Sequence, residues 1–454
     1  MTREPLVIVG AGMCGLGAGQ SGALLFEASG LPGGVCHSYY MDLEGRQSGR
    51  SETAFRFEPA GGHWLFDASP STLATFERLT PMRWHERKAA IYFATTDTFV
   101  PYPIQDNLHA LPEAVRARVL EELSVPCGDM WAGSFKEWLI AAFGQTLGDL
   151  FFLPFNERYT AGLLDRIAPQ DLHKSPLDME RVRRGAVQSV PAGGYNPMFL
   201  YPPAGLDVLT QGLARGCNIA TNHRLIGVDS RTRTLHFENG HAQAYERVLS
   251  TIPLQTLARI CQPGVSACMD LSTGVAVANI GALRGAACPK YHWLYLPHSR
   301  SGMHRVGFYS EVGASFVPQQ RTDQYVAVYA ETAFVSGAAP GPAEQDALLR
   351  AVITELKDLG FIGEVLAAGV SVTDPAYTWR AIGSNWAAAT REALAEHGIE
   401  SIGRYGAWRF QGMGASFEEG KAAAVRWTGS WGRSRKAGLT EEKTSIHQLT
   451  CAVR

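Results

Sequence analysis

The chain has 454 residues, a formal net charge of −2, 46% hydrophobic and 10% aromatic residues, which is enough for two or three domains' worth of core. Near-neutrality without a basic stripe argues against nucleic acid as a partner, and eight scattered cysteines without a C-x-x-C pair indicate neither a disulfide framework nor a zinc site, so no metal is expected. No apolar run of membrane-spanning length stands out and the N-terminus runs straight into a strand, so a cytoplasmic protein without membrane attachment is expected.

The first element is an apolar strand, Pro5-Leu6-Val7-Ile8-Val9, which enters Gly10-Ala11-Gly12-Met13-Cys14-Gly15. A second short apolar run, Ala23-Leu24-Leu25-Phe26, closes on Glu27. Strand, Gly-x-Gly-x-x-Gly, helix, strand and acid in that order form a dinucleotide site. Gly10 permits the tight turn, Gly12 lets a pyrophosphate approach the backbone, and Gly15 lets helix and strand pack closely. The helix N-terminus presents free N–H groups and a partial positive charge. Glu27 is placed to accept from the adenosine ribose hydroxyls. Two more glycine clusters follow, Gly33-Gly34 and Gly61-Gly62-His63, where a nicotinamide enzyme would continue into another βα unit. More bare backbone suits a longer flavin dinucleotide, so FAD is the expected cofactor; the competing reading is two surface turns.

Residues 71–204 read as mostly helical, with one helix opening at Leu111-Pro112-Glu113 and another after Ser134, whose spacing to Glu137 is that of a capping box. The dinucleotide region returns at 205–265 as a hairpin containing Leu225, assigned to the cofactor's surroundings, and a buried strand, Arg247 to Leu254. Residues 266–369 are sheet-rich, with strands at Val275–Ile280 and Tyr325–Tyr329, and end in a helix from Gln345 to Leu359. The third return, 370–430, carries a strand and glycine turn at Ile402–Gly406, then a helix starting near Ala415-Ser416. Arg404, Met413 and Ser416 there are candidate cofactor contacts. Residues 431–454 read as a polar tail. The expected fold is α/β: a discontinuous Rossmann-like FAD-binding domain (1–70, 205–265, 370–430) with a helical insert and a sheet-rich α+β substrate insert.

With these pieces placed, the chain resembles the FAD-dependent UDP-galactopyranose mutases of the eukaryotic-type branch, within the amine oxidase and protoporphyrinogen oxidase-like FAD superfamily. The resemblance is carried by Val100-Pro101-Tyr102-Pro103-Ile104-Gln105-Asp106-Asn107, Phe135-Lys136-Glu137-Trp138, Asp149-Leu150-Phe151 through Pro154-Phe155-Asn156, and Glu180-Arg181-Val182. It continues in Gly194-Tyr195-Asn196-Pro197, Trp293-Leu294-Tyr295-Leu296-Pro297 with Arg305 ten residues after the tyrosine, and Gly403-Arg404-Tyr405-Gly406-Ala407-Trp408-Arg409-Phe410. In that family the reduced flavin is itself the catalyst: its N5 attacks an anomeric carbon, the diphosphate leaves, and the sugar ring opens and recloses through another hydroxyl. The resemblance therefore implies a nucleotide-sugar substrate, FAD active in its reduced form, NAD(P)H as a candidate reductant, and a homo-oligomer as a candidate assembly. It implies Arg181 and Arg305 as a diphosphate clamp, joined by Tyr295 and Tyr377. Tyr102, Gln105 and Phe151 would hold the base, and Asn156 and Asn196 the sugar and ribose. His63 would sit against the flavin, with Arg404 near the ring.

Each assignment has a plainer rival. Arg181 opens the run Arg181-Val182-Arg183-Arg184 and reads equally as part of a solvated helix face. Arg305 reads as a surface residue, His63 as a turn histidine, Tyr102 as packing, and Asn156 as a helix cap. Two departures from the family concern substrate. Phe410 stands where a tyrosine hydroxyl is expected, a loss of about 0.5–1.5 kcal/mol of net hydrogen bonding. Thr160 stands where a tryptophan is expected, implying a roomier pocket that Arg158 or Tyr159 would have to complete. The alternatives are a flavin oxidoreductase of the amine oxidase or protoporphyrinogen oxidase type, and a flavin-binding scaffold without catalysis.

Overall fold

The structure, a computed structural model, describes residues 2–123, 133–170, 177–191, 193 and 196–434. Gly194 and Tyr195 of the sequence motif lie outside the described residues, as does most of the 431–454 tail; the last helix, Met413–Ser434, reaches a few residues into it. The first sheet runs in the order Asn218–Ala220, Leu24–Phe26, Arg3–Val9, Ala242–Ser250, Thr234–Phe237, Leu225–Asp229, with Ile399–Ser401 also paired to Ala242–Ser250. Its centre is parallel and its far edge is the expected hairpin. Val7, Ile8 and Val9 are buried, as a strand covered on both faces requires. Register then builds the site. Val9 lies opposite both Phe26 and Ser250, so the residues that follow these strand ends, Gly10, Glu27 and Thr251, emerge together at one edge.

The second sheet runs Ile362–Trp379, Leu271–Arg284, Tyr325–Val335, Arg305–Phe308, Trp293–Tyr295, Ala89–Phe93, Thr98–Pro101. Two expectations change here. The region 71–204 is not only helical: Ala89–Phe93, an entirely buried apolar run, pairs in parallel with Trp293–Tyr295 and brings Thr98–Pro101 with it. The boundary at 370 falls inside one continuous strand, because Ile362–Trp379 pairs along nearly the whole of Leu271–Arg284. Ile402–Gly406 is also not a strand. Pairing ends at Ser401, and Gly403–Gly406 forms a helical turn whose Gly403, at φ +77°, lies against Cys14.

The helix after Ser134 forms with both halves of its capping box, and Glu113–Glu122 starts where expected. The helical run Phe135–Tyr159 is, contrary to the sequence expectation, long and apolar enough by length and composition to cross a membrane. It bends at Gly144, which has φ +76°, and its Leu139, Phe143, Leu147, Phe151 and Phe152 fill a core cluster with Ile91, Val100 and Ile104.

The first and last helices meet backbone to backbone. A Cβ on Gly17 would stand 2.1 Å from the Phe417 carbonyl oxygen, and one on Gly420 would stand 1.8 Å from that of Cys14. Gly15 is equally constrained, since a Cβ on it would fall on the Gly10 carbonyl oxygen. Overpacking of such a contact costs about 1–3 kcal/mol. Gly420→Ala should therefore lower the thermal midpoint by several degrees, whereas Gly369→Ala, where a Cβ meets nothing within 4 Å, should leave it nearly unchanged in the same calorimetric scan.

Candidate functional site

A cavity of about 620 Å³ begins at the converging strand ends of the first sheet and continues to the second. Its near end is a cradle of backbone. Gly10, at φ +95°, donates its N–H to Phe26 O at 2.8 Å, and a Cβ there would collide with Thr251 Oγ1. Gly33 and Gly34 hold positive φ, and a Cβ on Gly34 would reach the Gly12 Cα at 3.2 Å. Gly12, by contrast, opens onto the cavity with nothing within 4 Å of its Cβ position. Glu27 lines this end; its carboxylate accepts from Ala11 N–H at 2.7 Å and from the Ser29 N–H and hydroxyl at 2.8 Å each. A carboxylate has roughly four lone-pair sites, so capacity remains for a hydroxyl. Bare backbone, a first helical turn at Met13–Gly19 and a buried acid fit the adenosine and diphosphate half of a dinucleotide.

Farther along, Gly62, His63, Arg404, Met413 and Ser416 form the wall. The His63 Nδ1 donates to Gly61 O at 3.1 Å and its backbone N–H donates to Glu58 Oε2 at 3.0 Å. Burial, helped by the guanidiniums of Arg404 and Arg305, lowers the imidazole to about 4, so it is neutral at neutral pH. The last helix is less open to a ligand than its glycines suggest, because the Asp67 carboxylate already accepts from Gly414 and Ala415 N–H at 3.3 and 3.2 Å. Five expected cofactor or substrate contacts are not on the wall, Arg181 at the far end and four others. Gly15 packs against Gly10, Gly61 lies against the Glu331 carboxylate, Leu225 sits in the apolar layer with Phe237 and Tyr245, and Gln105 is buried behind the wall.

The far end brings together Tyr102, Phe151, Asn156, Asn196, Tyr295, Arg305, Tyr377 and Phe410. Tyr102 and Tyr295 lie with ring centroids 4.8 Å apart. Arg305 donates from Nε and Nη2 to the two oxygens of Glu331 at 2.9 and 2.6 Å. Burial alone would raise Glu331, but Arg305 and His304 override it and hold the carboxylate at about 2. Asn156 turns its amide to Phe152 O at 2.7 Å, so part of its side chain serves the helix. Phe410 stacks on the Arg404 guanidinium at 4.5 Å.

Three sequence expectations fail at this end. Arg181 does not reach the cavity: Nε bonds Asp106 at 3.0 Å, Nη2 bonds Pro191 O at 3.0 Å, and the guanidinium borders only a small side pocket. Thr160 does not widen the pocket; it is fully buried with its hydroxyl on Asn156 O, while Tyr159 takes the place on the wall. Arg158 is committed to Pro297 O at 2.9 Å. The cation the sequence reading missed is Arg87, which lines both the cavity and the side pocket and stacks over Tyr102 at 5.3 Å. Its only sequence signal is its place before Ala89–Phe93, meaningless until that strand is paired. His304 was also missed.

A family model for flavin-containing amine oxidoreductase matches residues 16–378. The chain belongs to that family. Its members are flavin enzymes, and the cradle described above is where the cofactor's dinucleotide end fits. Among solved structures, a reduced UDP-galactopyranose mutase is similar with a TM-score of 0.81 at 23% identity, over 94% of this chain and 96% of that one. A candidate protoporphyrinogen oxidase from Exiguobacterium sp. 255-15 gives a TM-score of 0.65 at 17% identity over 94% and 99% of the two chains. A wild-type putrescine oxidase bound to putrescine gives 0.57 at 15% over 94% and 99%. These identities establish the fold this flavin enzyme shares with mutases and oxidases.

The cradle gives a clean test. Because a methyl group at Gly12 meets no protein atom, Gly12→Ala should keep the wild-type thermal midpoint in the cofactor-free protein and yet lose most bound flavin, read as the ratio of flavin to protein absorbance. Gly10→Ala, which clashes within the fold itself, should lose both.

Proposed function

We propose that this flavin enzyme acts on an anionic nucleotide sugar as a pyranose/furanose mutase-like isomerase, with FAD working in its reduced form. The observation that carries this reading is the charge of the cavity. Three guanidiniums, Arg87, Arg305 and Arg404, are on its wall. Of the carboxylates there, Glu27 lies in the glycine cradle, Glu331 is bonded twice to Arg305, and Asp374 is exposed and accepts from Gly337 N–H. Away from the cradle three guanidiniums therefore face two carboxylates, a positive excess that favours a diphosphate over an ammonium.

Reduced FAD would supply, when bound, a nucleophilic nitrogen able to displace the diphosphate from the anomeric carbon and, after ring reclosure, to leave again as the held diphosphate re-forms its bond to that carbon. The chain's own groups do the holding. Glu331 uses two N–H groups of Arg305 and leaves the rest of the fork for phosphate oxygens. The Tyr295 and Tyr377 hydroxyls add donors, the rings of Tyr102, Tyr295 and Phe151 offer stacking faces for a base, and neutral His63 leaves the flavin region without an added positive charge. Phe410 withholds a donor but steadies Arg404 by stacking. An oxidoreductase reading draws its support from the apolar stretch of wall formed by Phe135, Trp138, Leu139 and Phe152, which suits an apolar substrate.

Anaerobic incubation of dithionite-reduced holoprotein with a panel of nucleotide hexoses separates the two. The mutase reading predicts furanose product only after reduction, many turnovers per flavin, and no consumption of reductant. Sugar oxidation matched one-for-one to flavin reduction would overturn it. The cation placement adds a second expectation. Arg305→Ala should weaken nucleoside diphosphate binding by about one to two decades, the loss of a charge-assisted bond of ~1.5–3 kcal/mol, measured by calorimetric titration. Arg181→Ala should change it far less, because that guanidinium is tied to Asp106 away from the wall.

A further inference from the structure

We propose that Glu58 is a positioning residue: its buried carboxyl bridges the Tyr201 hydroxyl and the His63 backbone N–H, fixes the turn that faces the flavin, and carries a proton whose loss the flavin senses. The inference rests on the flavin being bound, not on the mutase chemistry.

Glu58 follows the buried strand Phe55–Phe57 and is itself wholly buried. One carboxyl oxygen meets Tyr201 Oη in a short hydrogen bond and the other accepts from His63 N–H at 3.0 Å. Its main chain is equally held: the carbonyl accepts from Asn279 Nδ2 at 2.9 Å and from Tyr309 Oη at 3.2 Å. Residues 58 to 63 thus form a closed loop whose two ends are joined by the glutamate side chain, and Ala60, Gly62 and His63 of that loop line the cavity. The loop's other side rests on the Glu331 carboxylate through Gly61, at φ +78°, where no Cβ would fit. Without the carboxyl bridge, His63 N–H would be left on the cavity wall without its acceptor.

The surroundings favour the protonated form. The charged and titratable groups facing Glu58 are Arg56 on its own strand, Asp207 on the helix Leu206–Ala214, Tyr201, Tyr309, Cys36 and His63. Arg56 spends its fork on Pro203 O and Ser315 Oγ and makes no ion pair with Glu58; among the described residues no cation lies within ion-pair distance of this carboxyl. Burial raises Glu58 to about 8, against the hydrogen bonds from Tyr201 and His63 and the field of Arg56, which lower it. Tyr201 and Tyr309 stay protonated, pushed up by burial, and His63 stays neutral. Ionisation therefore places one new negative charge behind His63, and a flavin beside that loop registers it.

Glu58→Gln keeps the shape and both hydrogen bonds, its amide oxygen accepting from His63 and its NH2 meeting Tyr201, but cannot ionise. Titrating the visible flavin band of the holoprotein from pH 6 to 10 should show a one-proton step near pH 8 in wild type. The step should be absent in Glu58→Gln and moved to higher pH in Tyr201→Phe, which removes a bond that favours the carboxylate. A step that survives in Glu58→Gln, or no step in wild-type holoprotein, overturns the proposal. If Glu58→Gln fails to retain flavin, Tyr201→Phe decides: an unmoved step overturns it. Protein without any flavin defeats the cofactor assignment, and the melting curves of that protein then decide. The folded carboxyl holds its proton up to about pH 8 while the unfolded one loses it above about 4.5. The melting-temperature advantage of Glu58→Gln over wild type should grow between those two pH values and level off above them; a constant advantage overturns the proposal.

Discussion

The approach of two helix backbones, Met13–Gly19 and Met413–Ser434, sets the geometry on which the rest depends. Gly17 and Gly420 leave no room for even a methyl group, so the two ends of the described chain are held in direct contact. Through that contact Gly403, Arg404 and Met413 arrive at the edge where Gly10, Glu27 and Thr251 leave their strands. A chain that departs twice to build a second sheet and a helical layer still closes one cavity, because its first and last helices are fixed against each other.

Electrostatics then divides the cavity. At the cradle end the dominant groups are backbone N–H donors and one engaged carboxylate. At the far end they are guanidiniums held by aromatic faces, carbonyls and, for Arg305, the Glu331 carboxylate. Burying the Arg305–Glu331 pair is expensive in desolvation, and such pairs often add little net stability. What this one does is fix a guanidinium fork in one orientation while leaving part of it for a ligand. Gly61 packs on the same carboxylate, so the cation that would hold a phosphate and the loop that would face a flavin share one contact. The Glu58 bridge secures the other side of that loop.

Much of this was legible in the sequence because it is local. The glycine triplet with its flanking strands, the Ser134 capping box, the long strands around Val277 and Val328, and the hairpin after Arg224 all depend on near neighbours. What the sequence hid was long-range. Ala89–Phe93 looks like any buried apolar run until Trp293–Tyr295 pairs with it, and only then does Arg87 come to the wall. Arg181 shares its motif with a clamp residue but turns to Asp106, which a linear motif cannot show. Thr160 departs from the motif without altering the cavity, because one position decides which residue of a helix faces it, and here that is Tyr159. The 370 boundary failed because a strand of 18 residues exceeds the usual five or six and hid its own continuation.

The central claim is that one cavity holds a flavin dinucleotide against bare backbone with its reacting end beside His63 and the Arg305 fork. Heat-denaturing the purified protein and identifying the released cofactor by chromatography and mass tests this most directly. The account predicts intact FAD, close to one per chain and released without a covalent bond. Release of FMN alone, or a colourless protein that takes up no added FAD, would contradict it.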